Sequence, residues 1–196
     1  MKYKNIFNKK KILITGHTGF KGSWLTLWLQ SLGAKVIGVS KNIPTSPSHY
    51  VSLGIDKKIL SEKIDIKNLN RLRKVFTKNQ PDFVFHLAAQ SIVRKSYLEP
   101  VETWKTNLIG TLNVLEALRG IKKICTAVLI TSDKAYKNLE IKRGYIETDI
   151  IGGIDPYGAS KSAAEIVIQS YIKSFFSHNK NKVSIAVARA ADFDAP

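Results

Sequence analysis

Lys11-Ile12-Leu13-Ile14-Thr15-Gly16-His17-Thr18-Gly19-Phe20-Lys21-Gly22 is the stretch that decides the fold. Its first five residues carry an apolar, branched run and read as a buried strand. A helical pattern follows the glycines, with Trp24, Leu25, Trp28, Leu29 and Leu32 as its apolar positions, and Gly33 ends it. Lys35-Val36-Ile37-Gly38-Val39 is the next strand. Strand, glycine loop, helix and strand, in that order, are the context a dinucleotide fingerprint requires. Gly16 allows the tight turn, Gly19 lets backbone approach a pyrophosphate, and Gly22 permits close helix–strand packing. The helix start supplies a positive end for phosphates. The spacing is GxxGxxG rather than GxGxxG.

Many NAD-binding domains place an acid after the second strand for the ribose 2′-hydroxyl. Here Ser40, Lys41 and Asn42 stand there. Lys41 tolerates a 2′-phosphate, so NAD and NADP both stay open. Residues 42–50, with Pro44 and Pro47, read as a loop. A short strand over residues 60–64 ends at Asp65-Ile66. Asp65 either accepts from an adenine amino group or caps the next helix. That helix buries Leu69, Leu72, Val75 and Phe76. Asp82-Phe83-Val84-Phe85-His86-Leu87 is a fourth strand, and the small Ala88 and Ala89 after it leave room for a flat cofactor. His86 reads as a packed strand-end histidine rather than an acid or base. Pro100 opens a long helix with Trp104, Leu108, Leu112, Leu115 and Leu118 as its stripe. Asn107 lies inside it and needs a partner such as a water or a backbone carbonyl, because a buried amide is costly unbonded.

Farther along, Val128-Leu129-Ile130 is a buried strand, with Thr131-Ser132-Asp133-Lys134 at its carboxyl end. In open parallel sheets that edge is where ligands bind. Pro156 starts a helix on which Tyr157 and Lys161, four apart, share a face. An ammonium beside a phenol favours the phenolate, which then takes a proton from a sugar or alcohol hydroxyl. Ser132 is placed to hydrogen-bond the same oxygen. Val183 to Ala188 form a sixth strand. Alternating strands and helices predict an α/β fold: a Rossmann-type, doubly wound parallel sheet with helices on both faces.

Composition narrows the class. The 196 residues are 44% hydrophobic, which suits one globular domain with a sizeable core. No apolar run is long enough to span a bilayer, and the lysine-rich start lacks the apolar segment of a secretory signal. The single cysteine, Cys125, reads as a buried small hydrophobe. A cytoplasmic protein is the expectation. The formal net charge of +16 favours anions. The lysines are dispersed and no nucleic-acid-binding motif accompanies them, so a nucleic-acid partner is not expected. Nor is a metal site. The expected organisation is a basic tail over residues 1–8, an NAD(P)-binding domain over 9–190 and a divergent end over 191–196.

Five stretches carry a family resemblance. They are Gly16-His17-Thr18-Gly19-Phe20-Lys21-Gly22-Ser23-Trp24-Leu25, His86-Leu87-Ala88-Ala89-Gln90-Ser91-Ile92-Val93-Arg94, Pro100-Val101-Glu102-Thr103, Thr131-Ser132-Asp133-Lys134 and Asp155-Pro156-Tyr157. Together they resemble CDP-glucose 4,6-dehydratases, members of the extended short-chain dehydrogenase/reductase superfamily. The His-Thr-Gly-Phe-Lys-Gly loop and Lys134 carry the subfamily, since related dTDP-glucose dehydratases usually have a Glu at the latter place. The resemblance implies an NAD cofactor, with NADP not excluded. It implies cofactor contacts from Gly16, His17, Thr18, Gly19, Phe20, Lys21, Gly22, Ser40, Asp65, Ile66, Leu87, Ala88, Ala89, Asn107, Tyr157 and Lys161. Gln90, Arg94 and Ser132 are implied to hold a nucleotide-sugar substrate.

The implied chemistry oxidises the sugar at C4, eliminates water across C5–C6 and returns hydride to C6. In it Tyr157 is the base at the 4-hydroxyl, Lys161 binds the nicotinamide ribose, and Ser132 steadies the 4-oxygen. Asp133 protonates the departing 6-hydroxyl, and Lys134, tuned by burial and neighbouring cations, assists at C5. Family members also commonly form homodimers through the helices carrying Asn107 and Tyr157. Family members are much longer, so the resemblance also implies that most of a C-terminal substrate domain is missing. Two further readings stand beside the dehydratase: a non-catalytic NAD(P)-binding remnant, and another extended-family epimerase or reductase.

Overall fold

The structure is a computed structural model that describes residues 3–177 and 182–191. Residues 192–196, most of the expected divergent end, lie outside the described residues. Helix α1 (Lys4–Phe7) is a single turn within the basic tail. It leads into strand β1 (Lys11–Thr15), helix α2 (Phe20–Ser31) and strand β2 (Lys35–Ser40). A short α3 (His49–Ser52), a 3-10 turn over Ile55–Lys57, β3 (Leu60–Lys63), α4 (Leu69–Asn79) and β4 (Phe83–His86) come next. Then follow α5 (Val93–Leu98), α6 (Pro100–Trp104) and α7 (Gly110–Leu118). Strand β5 (Cys125–Ser132), α8 (Pro156–Tyr171) and β6 (Val183–Ala190) complete the order.

All strand pairs are parallel, in the order β3-β2-β1-β4-β5-β6. The chain winds outward from β1 to β3, then returns to the other side of β1. That reversal puts a crevice between the carboxyl ends of β1 and β4, where open α/β sheets bind ligands.

Alternation along β1 shows why both faces are covered. Ile12 and Ile14 join Leu29 and Val36 in one core, with Phe7 and Leu25 against it. Leu13 faces the other way, into a core with Leu72 and Phe76 of α4, Leu115 and Leu118 of α7 and Ile168 of α8. Each such large apolar side chain contributes about 2 kcal/mol by leaving water. Cys125 belongs to this second core, where burial pushes its thiol up to about 12.

Two expected helix stripes need correction. On α2 the buried positions include Gly22, Ser23, Thr26 and Leu29, while Trp24 and Trp28 are half exposed. The close approach at Gly22 starts the buried face at the small residues Gly22, Ser23 and Thr26 and carries it on to Leu29, and the indoles lie outside it, Trp24 against His49 and Trp28 against Tyr3. On the helix opened by Pro100, a π-turn over Lys105–Ile109 joins α6 to α7. It rotates the phase of the buried face. Thr103, Asn107 and Thr111 are buried before the stripe of α7 takes over, and Trp104 stays 36% exposed.

Candidate functional site

Gly16 follows β1 with φ +78°, and a Cβ on it would lie 2.7 Å from the Ala88 nitrogen. A Cβ on Gly22 would lie 2.1 Å from the Gly16 carbonyl oxygen. These two glycines are therefore demanded by the chain's own packing. Gly19 is different: a Cβ there would meet nothing closer than the Gly16 oxygen at 3.4 Å. No side chain caps α2 and its first turn has no acid. Its N-terminal N–H groups and positive dipole end are thus available to an anion.

The side chains of His17, Thr18 and Ser23 turn inward. His17 is 1% exposed, with Nδ1 2.9 Å from Ser40 Oγ and Nε2 2.9 Å from Ser61 Oγ. Burial lowers its pKa to about 4, with the Val39 carbonyl opposing, so the ring is a neutral tie between loop, β2 and β3. Thr18 Oγ1 donates to the Asn42 carbonyl at 2.7 Å. Ser23 Oγ donates to the Phe20 carbonyl and lies 2.7 Å from His49 Nδ1. Phe20 is 69% exposed, and Lys21 is exposed beside it. Ser40, expected at the cofactor, bonds this loop, its Oγ accepting the Thr18 N–H at 3.4 Å and lying 2.9 Å from His17 Nδ1.

A buried polar chain crosses the crevice. Thr111 Oγ1 donates to the Asn107 carbonyl at 2.6 Å, so it accepts from His86 Nε2–H at 3.1 Å. His86 Nδ1 then accepts from Thr15 Oγ1 at 2.7 Å, which in turn accepts the Ala88 N–H at 3.3 Å. One tautomer satisfies every member. Burial, with the Lys161 ammonium adding, lowers the His86 pKa to about 3. His86 is the packed histidine the sequence suggests.

Asn107 Oδ1 accepts from Gln90 N at 2.8 Å, and its Nδ2 donates to the Gln90 carbonyl at 3.0 Å and to Ser160 Oγ at 2.9 Å. The backbone carbonyl expected as its partner is Gln90's. The Gln90 carboxamide bonds Thr103 Oγ1 and both backbone groups of Ile92, so it shapes this loop from within. Arg94 is exposed on α5. Leu87 N–H donates to the Thr15 carbonyl at 3.0 Å, and Ala88 and Ala89 after it are half-buried. Ile66 is buried, with its carbonyl held by Asn113 Nδ2 at 3.0 Å. Asp65 does not cap α4; Asn68 does, accepting from Arg71 N–H at 3.0 Å.

The other cluster lies at the carboxyl end of β5. Asp155 caps α8, its Oδ1 accepting from the N–H groups of Tyr157 and Gly158 at 3.0 Å each. Pro156 occupies the first turn as expected. Tyr157 and Lys161 are both buried, one turn apart. A Cβ on Gly158 would lie 2.8 Å from the Lys134 carbonyl oxygen, so the helix start abuts the Ser132–Lys134 turn. Ser162 Oγ donating to the Ala135 carbonyl at 2.8 Å ties the same two pieces.

Ser132 Oγ donates to Asp133 Oδ1 at 3.0 Å and accepts the Lys134 N–H at 3.2 Å. Lys134 is exposed, against the burial expected for it. Sequence reasoning missed Glu165, 1% exposed, which accepts from Thr131 Oγ1 at 2.6 Å and from Arg189 Nε at 2.8 Å. It pins β5, β6 and α8 together. Its signal was an acid on the apolar side of a helix. Among the described residues no group of three or more His, Cys, Asp or Glu side chains is placed to hold a metal. No helix there is long and apolar enough to cross a membrane.

A Rossmann sheet with a Tyr–Lys helix at its carboxyl edge defines a class, and the comparisons narrow it. Residues 13–184 match the family model described as GDP-mannose 4,6 dehydratase, and the chain belongs to that family. It is 42% identical over 192 residues to a CDP-glucose 4,6-dehydratase of Salmonella typhimurium, covering 96% of this chain and 54% of that one. The structure resembles an epimerase of Methanothermobacter thermautotrophicus, with TM-score 0.81 and 29% identity, over 96% of this chain and 53% of that one. It also resembles the UDP-glucose 4-epimerase of Thermus thermophilus solved with NAD, with TM-score 0.77 and 26% identity, over 91% and 54%. The chain spans about half the length of the curated relatives it matches.

Proposed function

We propose that this chain carries the dinucleotide-binding and proton-transfer part of a nucleotide-sugar 4,6-dehydratase, acting on CDP-glucose with NAD. The observation that carries the reading is the docking of the Tyr157–Lys161 helix against the Ser132–Lys134 turn, at the same sheet edge as the uncapped glycine loop. NAD fits the residues present. A Cβ on Gly19 would meet nothing closer than 3.4 Å, so the backbone here lies open to the approach of a pyrophosphate. Gly16, Gly22 and the first turn of α2 would hold the pyrophosphate, and Ala88 and Ala89 would leave space for the rings. The Salmonella relative's name supports the substrate, and the Thermus neighbour's NAD supports the cofactor.

When bound, the nicotinamide would supply reversible hydride acceptance for the redox steps at sugar C4 and C6. Tyr157 takes the proton of the 4-hydroxyl as that carbon is oxidised, with Ser132 Oγ steadying the oxygen. Lys161 would hold the nicotinamide ribose, and its ammonium would favour the Tyr157 phenolate. The 4-keto group acidifies the C5 proton, which leaves with help from Lys134. Asp133 protonates the departing 6-hydroxyl, so water is the leaving group.

The test is incubation with CDP-glucose and NAD, following the alkali-induced absorbance of the 4-keto product. Tyr157→Phe is expected to lower turnover by roughly 10²–10⁴-fold with NAD affinity unchanged; a variant as fast as the parent removes the assigned base. NAD binding without turnover is the second reading. The exposure of Lys134 favours it, because proton abstraction at C5 needs a site closed to water. A second copy of the chain is the partner proposed for α6 and α8, which leave Val101 63% and Ile166 58% exposed. A sedimentation mass of twice the 21.9 kDa chain is the expected result.

A further inference from the structure

Four charged side chains meet where the ends of β2 and β3 face the start of α6. Lys41 follows β2 directly, Asp65 and Lys67 follow β3, and Glu102 stands in the first turn of α6. The Lys41 ammonium lies 3.3 Å from Asp65 and 3.6 Å from Glu102. Lys67 engages the same two carboxylates, 3.6 Å from Asp65 and in direct contact with Glu102. Asp65 is aimed by its own turn, its Oδ1 accepting the Lys67 N–H at 2.9 Å. The Lys67 hydrogen bond outweighs desolvation and holds the Glu102 carboxyl below its usual range, and Lys67 and Lys41 together overcome desolvation and do the same for Asp65, so both acids are ionised at neutral pH. Two ammonium groups and two carboxylates leave the cluster without net charge.

Its place matters. The residue after the second strand of a Rossmann sheet faces the adenosine ribose, and a basic residue there ordinarily accommodates a 2′-phosphate. Lys41 stands there, yet its charge is already taken up. We infer that this cluster selects NAD over NADP: Asp65 and Glu102 hold Lys41, so a 2′-phosphate meets a neutral group with two carboxylates in it. The inference rests on the dinucleotide reading above. It gives Glu102 a part in cofactor choice, although 61 residues separate it from Lys41 (102 − 41). The cluster is water-exposed on one side, with 59% of the Lys41 side chain accessible, so its effect is moderate.

Tryptophan-fluorescence titrations with NAD and with NADP at low salt test it. The proteins are the parent chain, Glu102→Gln and the double variant Glu102→Gln with Lys41→Gln, each checked for fold by circular dichroism. The parent is expected to prefer NAD. Glu102→Gln frees one positive charge and is expected to tighten NADP about fivefold while NAD moves less than twofold. The double variant is expected to lose that gain. A parent preference for NADP, or an NADP/NAD ratio unmoved in Glu102→Gln while NAD still binds, overturns the selection alone. Folded protein that binds neither dinucleotide overturns the cofactor reading and this inference with it.

Discussion

The loop between β1 and α2 and the turn between β5 and α8 lie at one edge of the sheet, yet they use side chains oppositely. In the first, His17, Thr18 and Ser23 are 1%, 9% and 0% exposed and bond inward. What remains outward is the glycine backbone, with the exposed Phe20 and Lys21 beside it. In the second, Asp133 is half-buried and Lys134 exposed, while the helix opposite is anchored from below by Asp155 and Ser162. A surface read through N–H groups owes its residue identities to internal packing. A surface that works through hydroxyl, carboxylate and ammonium owes them to chemistry. Substitutions in the loop should therefore cost stability, and substitutions in the turn should cost turnover.

The sharpest break of that contrast comes within the loop. Gly22→Ala places a methyl group on the Gly16 carbonyl and is expected to cost about 3 kcal/mol in urea unfolding. Gly19→Ala has room, so stability should stay within about 0.5 kcal/mol while NAD affinity falls roughly tenfold. Equal stability losses at the two glycines would erase the distinction.

A pH series probes the loop and the crevice together. His17 and His86 are lowered to about 4 and about 3, mainly by burial, from 6.5 in the unfolded chain. A lowered histidine binds its proton more weakly when folded. Its contribution is complete above about pH 6.5 and is lost as pH falls towards the folded values. Between pH 6 and pH 5 the two together should remove roughly 2–3 kcal/mol, read from urea midpoints. His86→Gln should about halve that slope; an unchanged slope means the ring is charged in the fold.

The last variant lies at the start of α8. Asp155→Ala removes the acceptor for two N–H groups at the start of α8 and is expected to cost about 1 kcal/mol. A larger drop in turnover than in stability would show that the cap also aims Tyr157.

Much of this was legible beforehand. The apolar runs at residues 12–14, 36–39 and 128–130 lie in parallel strands, and the run over 83–87 does so as far as His86. Pro156 and Asn107 sit where the pattern put them, on a helix start and in a buried bonded position. Helix faces were less legible. Trp24 and Trp28 broke the expected stripe because the buried face of α2 runs through Gly22, Ser23, Thr26 and Leu29, and one extra residue in a π-turn rephased the Asn107 helix. The jobs of His17 and Asp65 depended on Ser61, Lys41 and Glu102, which lie far along the chain.

Local order of residue types determined the strands, the glycine turn, the helix starts and hence the α/β class, because backbone geometry and side-chain periodicity act over a few residues. Tertiary structure alone decided which histidines are silent, that Lys134 meets water, and that Glu102 closes a charge cluster with Lys41. Those outcomes come from burial and from pairings between distant segments, which no short window of sequence contains.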